Sequence, residues 1–191
     1  MRINLKKTFG GVNLNTKTKQ EILEWIKTIS ISLVLAMGIT FIVQPTIVSG
    51  QSMYPTLENK DYLFINKLAY KAEEPKRGDI LVFKTQLLDT KSNKKKDLVK
   101  RVIALPGEHI VIQNSKVYIN GKFLDEDYIK NVDTLGDVDM IVPENEMFVM
   151  GDNRPASQDS RSYEIGTVSI DDIVGKVSLR VYPFDKVGTI E

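Results

Sequence analysis

Ser49-Gly50-Gln51-Ser52-Met53-Tyr54-Pro55-Thr56-Leu57 separates two textures in this 191-residue chain. Before it lies the most apolar segment of the sequence, and after it come short, alternating runs. Gly50 admits backbone conformations with positive φ, whereas Pro55 fixes its own φ and biases Tyr54 toward extended geometry. The nine residues read as a fixed, non-helical loop around Ser52. A serine held this way has two readings. It is a nucleophile if a base removes its proton, or it is a plain Ser-Gly turn leaving the apolar segment.

Upstream, Trp25 to Val48 is almost wholly apolar, with Lys27 as its only charge. A bilayer crossing needs roughly 20 such residues, and a soluble helix of this length would show a polar face. None is visible here. Trp25 and Lys27 suit a membrane interface, and the hydroxyls of Thr28, Ser30, Ser32 and Thr40 can bond carbonyls inside a helix. The pattern predicts a basic tail over 1–21, a transmembrane helix over 22–45 stopped by Pro45, and a domain over 46–191. Arg2, Lys6, Lys7, Lys17, Lys19 and Lys27 outweigh Glu21 and Glu24. The positive-inside rule then puts the N-terminus in the cytoplasm and the domain outside. A cleaved signal peptide is the rival reading; the long apolar stretch and the lack of a small-residue cleavage site argue against it.

Downstream, Tyr62–Ile65, Ile80–Phe83, Leu98–Leu105, His109–Ile112, Lys116–Ile119, Met147–Met150 and Ile173–Tyr182 read as strands. Gln113-Asn114-Ser115 and Asn120-Gly121 are hairpin signals. The fold class is mainly β: an antiparallel-sheet domain behind one apolar helix. Residues 89–97 form a lysine-rich polar loop, and the acidic stretch 125–146 reads as an exposed excursion.

A net charge of +1 offers no nucleic-acid footprint. The absence of cysteine excludes disulfides and thiolate chemistry, and a single histidine excludes a histidine-rich metal site. Any Ser-His-Asp triad would have to use His109, which sits at a strand start away from loops of catalytic type. Lys100 offers a second base. Alternation puts Leu98, Lys100, Val102 and Ala104 on one face and Arg101 on the other. Burial of that face would lower the lysine pKa; the bland alternative is an edge-strand lysine guarding against aggregation. A last polar cluster, Gly151-Asp152-Asn153-Arg154-Pro155-Ala156-Ser157-Gln158-Asp159-Ser160-Arg161, is either a structural turn network or part of a site.

Three stretches stand in order: Ser49–Leu57, Val99-Lys100-Arg101-Val102-Ile103-Ala104-Leu105-Pro106-Gly107-Glu108 and Gly151–Arg161. Together they closely resemble the motif set of bacterial type I signal peptidases, membrane-anchored Ser/Lys proteases of protein export. The resemblance implies Ser52 as nucleophile and Lys100 as its general base. It further implies that Ser157 hydrogen-bonds the lysine, that Asp159 and Arg161 brace that loop, and that Met53 helps form a shallow substrate cleft. Gly50 stands where some members carry an oxyanion-binding serine, as in many shorter members, so the Ser52 N–H would be the main oxyanion donor. The implied partners are signal peptides of secreted preproteins, cut after small residues, and the lipid bilayer; no cofactor is implied. Two rivals remain. Self-cleaving repressor-type Ser/Lys proteases share the serine loop but carry a DNA-binding domain instead of an apolar span. A membrane-tethered, non-catalytic β module is the other.

Overall fold

The computed structural model describes residues 16–89, 93–129 and 132–190. Most of the basic tail, the centre of the lysine-rich loop and two residues of the acidic stretch therefore lie outside the described residues. Contacts divide the chain into two units, one ending at Thr40 and one beginning at Phe41.

The first unit is helical. Helix α1 spans Thr16–Ile42, and none of its residues is buried. Among the described residues it is the one helix long and apolar enough to cross a membrane. Thr28 and Thr40 donate their hydroxyls to the carbonyls of Glu24 and Met37, both at 2.9 Å. Local bonds of this kind let polar side chains sit in an apolar helix. The helix starts and ends earlier than the 22–45 segment. Its C-terminus is set by strand formation from Val43, not by Pro45, which lies inside the first strand. Proline is tolerated there because the strand pairs on one side only.

The second unit is built of antiparallel strands. In chain order they are β1 (Val43–Ile47), β2 (Tyr62–Asn66), β3 (Ile80–Leu88), β4 (Lys95–Ala104), β5 (His109–Gln113) and β6 (Lys116–Ile119). They continue with β7 (Lys122–Phe123), β8 (Val138–Ile141), β9 (Glu146–Met150), β10 (Val168–Ser169), β11 (Ile173–Tyr182) and β12 (Gly188–Thr189). Among the described residues the larger sheet has eight strands in the order β1-β2-β11-β3-β4-β9-β10, with β12 on β11; the smaller has four, β7-β6-β5-β8. The hairpin signals hold: Asn114 and Ser115 both take positive φ between Gln113 and Lys116, as do Asn120 and Gly121 between Ile119 and Lys122. Two left-handed residues match the right-handed twist of the flanking strands.

Period-2 alternation distributes the core over both faces of the large sheet. Ile80 and Val82 pack with Met53, Leu57, Leu63 and Ile65, while Leu81 and Phe83 pack with Val102, Met147 and Val149. Phe148 and Met150 instead meet Ile110, Ile112 and Val117 of the small sheet. Met53 and Leu57 thus anchor the Ser52 loop into one core layer.

The acidic stretch is not simply an exposed excursion. Val138–Ile141 is a strand paired with β5, and Ile129, Thr134 and Val142 are buried. Glu126 is drawn inward by Arg154: Nη1 donates to Oε2 at 2.9 Å and Nη2 to Oε1 at 2.5 Å, and Thr134 Oγ1 also accepts from Nη1. Arg154 has no exposed side-chain surface, and a buried guanidinium is tolerated only when its donors are met. Sequence separation concealed this pair. Truncating one partner of such a pair costs about 3–5 kcal/mol. Glu126→Ala is therefore expected to lower unfolding stability by that amount in a urea titration in detergent. Exposed Asp127→Ala should stay within about 0.5 kcal/mol. Equal effects would show that the Glu126 pair does not hold the segment.

Candidate active site

The Ser52 loop leaves β1 through Ser49 and Gly50. Gly50 takes φ 111°, open to glycine but not to other residues at low cost. Its N–H donates to Asn59 Oδ1 at 3.1 Å. Met53, 2% exposed, and Leu57, fully buried, point inward, and Ser52 directly precedes the turn that Leu57 N closes on Met53 O at 2.8 Å. The Ser52 N–H donates to no group among the described residues.

Lys100 Nζ donates to Ser52 Oγ at 2.6 Å. The lysine is 2% exposed. Leu98 and Val102, two residues either side of it, pack in one cluster with Leu81, which faces Lys100 in the β3–β4 ladder. Its stem therefore runs over an apolar face, as alternation predicts. Ala104 leaves that face because the β4–β9 register slips between Val102 and Ala104. Burial pushes the Lys100 ammonium down to about 8; the Asp159 and Asp152 carboxylates oppose the shift and Arg161 adds to it. At pH 7 a lysine of that pKa is neutral in about one molecule in ten, against about one in three thousand for an ordinary lysine. The burial is what makes it a usable base.

Arg101, on the face opposite Lys100, is buried as well, because both faces of the sheet are covered here. It too is 2% exposed. Its Nε and Nη2 donate to Asp152 Oδ1 and Oδ2 at 3.0 and 2.8 Å, and Thr56 Oγ1 donates to Oδ2 at 2.5 Å. The guanidinium carbon lies 4.0 Å from the centre of the Tyr128 ring. One bidentate pair thus ties the lysine strand, the serine loop and the turn after β9 together. Asn153 adds two bonds to the serine loop: its N–H to Ser52 O and its Nδ2 to Gln51 O, each 3.0 Å.

Asp159 and Arg161 brace the same turn. Arg161 Nε and Nη2 reach Asp159 Oδ1 and Oδ2 at 2.8 and 2.9 Å, and Gly151 N donates to Asp159 Oδ2 at 3.0 Å. Burial of Asp159 opposes its ionisation, but the Arg161 bonds and charge outweigh it and hold the carboxyl below its ordinary value. Ser157 differs from the expectation. Its Oγ is fully buried beside this cluster yet makes no hydrogen bond of acceptable geometry, to Lys100 or to Asp159. His109 lies in the small sheet with Nε2 2.6 Å from Asp139 Oδ1, and it makes no bond to Ser52 or Lys100. No group of three or more metal-ligating side chains occurs among the described residues.

A cleft of about 130 Å³ opens beside Ser52, lined by Gln44, Ile47, Gly50, Met53, Leu98 and Val99 among others. Two strand edges without a partner among the described residues flank it. β1 pairs only with β2, and β4 meets β9 only from Arg101 onward. Thr56, Arg101, Asp152 and Asn153 are the site residues that sequence reasoning overlooked. All four lie within the three quoted stretches, but nothing along the chain pairs positions as distant as 101 and 152.

A model of the family described as "Signal peptidase, peptidase S26" matches residues 22–182. Signal peptidase I P of Bacillus subtilis subsp. natto is 40% identical over 182 residues, covering 90% of this chain and 95% of that protein. Signal peptidase IB of Staphylococcus aureus strain COL is 35% identical over 187 residues, covering 88% and 93%. A crystal structure of a signal peptidase I from Enterococcus faecalis V583 is 32% identical, with a TM-score of 0.45, over 56% of this chain and 98% of that one.

Gly151 is the tightest point of the site. A Cβ there would lie far inside contact distance of the Ser52 carbonyl oxygen and Ser157 Oγ. The backbone atom cannot swing away, so Gly151→Ala must displace the serine loop. A misplacement on the order of 1 Å costs about 10²-fold in a reaction that depends on alignment. The acylation rate of Ser52 by a serine-directed probe is expected to fall by about that factor. An unchanged rate would mean that the turn does not set the serine.

Proposed function

This chain belongs to the signal peptidase family, peptidase S26, and we propose that it removes N-terminal signal peptides from exported preproteins with Ser52 as nucleophile and Lys100 as general base. The observation that carries the assignment is the 2.6 Å contact between Lys100 Nζ and Ser52 Oγ, made by a lysine with almost no exposure. Neutral Lys100 takes the Ser52 proton as Oγ attacks the scissile carbonyl, and the free Ser52 N–H faces the developing oxyanion. The lysine then protonates the departing amine, leaving an acyl-enzyme. It next takes a proton from the attacking water and passes it to Ser52 Oγ as the acyl–oxygen bond breaks, releasing the carboxylic acid and restoring the serine hydroxyl and the neutral lysine. Asp159 with Arg161, and Arg101 with Asp152, hold the two partners in register.

The cleft edges support an extended substrate. A peptide laid between β1 and β4 can bond both free edges, leaving alternate side chains to the shallow apolar floor that includes Met53. Small residues at −1 and −3 from the cut suit that depth. α1 acts as the anchor, with the tail in the cytoplasm, the span ending at Ile42 where β1 begins, and the strand domain from Val43 onward outside. An exposed aromatic group, Tyr62, Tyr182 and Phe184, with centroids 5.6 and 5.4 Å apart, adds a surface suited to headgroups.

Ser52→Ala and Lys100→Ala are expected to remove nearly all preprotein cleavage, and Lys100→Arg as well, because a guanidinium stays protonated. His109→Ala should keep most of it. The active lysine is the neutral form, so kcat/KM falls as pH drops below the Lys100 value of about 8. An acid limb near the ordinary histidine value of about 6.5, lost in His109→Ala, would overturn the dyad.

The orientation has its own test. The chain has no cysteine, so Lys94→Cys, in the exposed β3–β4 connection, carries a unique thiol. A membrane-impermeant maleimide should label it on intact cells. Labelling only after lysis would reverse the topology.

A further inference from the structure

Ser52 has a second depression beside it, which the mechanism above does not use. It has a volume of about 350 Å³ and is lined by Gln51, Tyr54, Glu58, Asn59 and Asn153. It shares no lining residue with the cleft along β1 and β4. The two flank the serine loop: Gly50, Ser52 and Met53 contribute to the first, Gln51 and Tyr54 to the second. Their linings differ in residue type. The cleft combines Ile47, Val48, Met53, Val82 and Val99 with Gln44, Thr46 and Asp97 at its sides. The depression presents three carboxamides, a phenol and a carboxylate.

Its walls are held by the nucleophile loop itself. Asn59 Oδ1 accepts from Gly50 N at 3.1 Å, and Asn153 donates to Ser52 O and Gln51 O, each at 3.0 Å. These bonds hold the Asn59 Oδ1 and the Asn153 donors, so Asn59 Nδ2 and Asn153 Oδ1 stay available. The Gln51 carboxamide and the Tyr54 hydroxyl make no hydrogen bond among the described residues. Glu58 is half-exposed on the rim, with Oε1 2.7 Å from Lys186 Nζ.

We propose that this depression binds the first one or two residues of the chain released after cleavage, and that it favours polar side chains there. The inference rests on the reading of Ser52 as nucleophile. A substrate whose signal-peptide side fills the apolar cleft has its scissile carbonyl at Ser52. It leaves across Gln51 and Tyr54, where the amide groups meet it. Recognition then differs on the two sides of the cut. Shape and apolarity act before it, and hydrogen bonding with a charge-sensitive rim acts after it.

The test uses the full-length protein in detergent and one preprotein varied only at +1 and +2, as Gln, Leu, Lys or Glu. Wild-type kcat/KM should be higher with Gln than with Leu; the reverse order overturns the polar class. In Glu58→Lys the rim becomes basic through two lysines. The ratio of kcat/KM for the Lys and Glu substrates should move toward Glu by about two- to fivefold, the range of an exposed charge pair. The tolerance at −1 should not change. Glu58→Gln should give a smaller shift in the same direction, which guards against a folding effect of the reversal. If the ratio stays fixed in both variants while cleavage persists, these residues do not touch the released chain. Ser52→Ala, run on the parent preprotein, separates the two ideas: retained cleavage there would remove the mechanism, whereas a fixed charge ratio removes only the subsite.

Discussion

Arg101 and Asp152 meet through two hydrogen bonds at 3.0 and 2.8 Å, with 3% and 0% of their side-chain surface exposed. Around this pair the site is assembled. Arg101 follows the lysine on β4, Asp152 follows Gly151 at the end of β9, and Thr56 on the serine loop bonds the same carboxylate. Three segments far apart in the chain are brought to one point. Two charges removed from water are costly, and the cost is recovered only when nearly all donors and acceptors are met. Here Gly78 O and the Tyr128 ring complete the guanidinium's surroundings, the carbonyl at 2.9 Å. A shift of any one segment leaves a buried charge unsatisfied, so the arrangement is held sharply.

That rigidity bears on the lysine. Lys100 has a hydroxyl rather than a carboxylate as its hydrogen-bond partner, and its neighbours' charges partly cancel. Asp159 is engaged by Arg161 and Asp152 by Arg101. With both carboxylates occupied, burial dominates and the ammonium is pushed down to about 8. A free carboxylate at either position would favour the protonated lysine and weaken it as a base. Arg161 thus offsets part of the pull of the Asp159 and Asp152 carboxylates on the lysine, in addition to bracing the turn.

The legibility of the chain follows from the range of its interactions. Ile80–Phe83, His109–Ile112 and Ile173–Tyr182 were readable as strands because period-2 patterning and turn residues act between neighbours. The two tight hairpins were readable for the same reason: Asn114-Ser115 and Asn120-Gly121 carry their φ preference locally. The acidic stretch misled because charge was taken for exposure. The Glu126 side chain is nonetheless only 8% exposed, since Arg154 pairs with it from a segment 28 positions away. Ser157 was assigned a hydrogen bond to the lysine by likeness of motif, yet its hydroxyl is buried without one.

What the sequence determined by itself is therefore local: one long apolar helix, a chain of short alternating strands, a serine fixed between Gly50 and Pro55, and a lysine on an apolar strand face. Those properties reside in the backbone preferences and periodicity of adjacent residues. Tertiary structure decided the rest. It set the 2.6 Å approach of Lys100 to Ser52, the burial of Arg101 on the strand face opposite Lys100, and the Gly151 position with no room for a methyl group. It also lowered the lysine pKa, because that value depends on water excluded by segments that meet only when both faces of the large sheet are covered. No stretch of sequence carries that information alone, since desolvation belongs to the packed assembly and not to any residue in it.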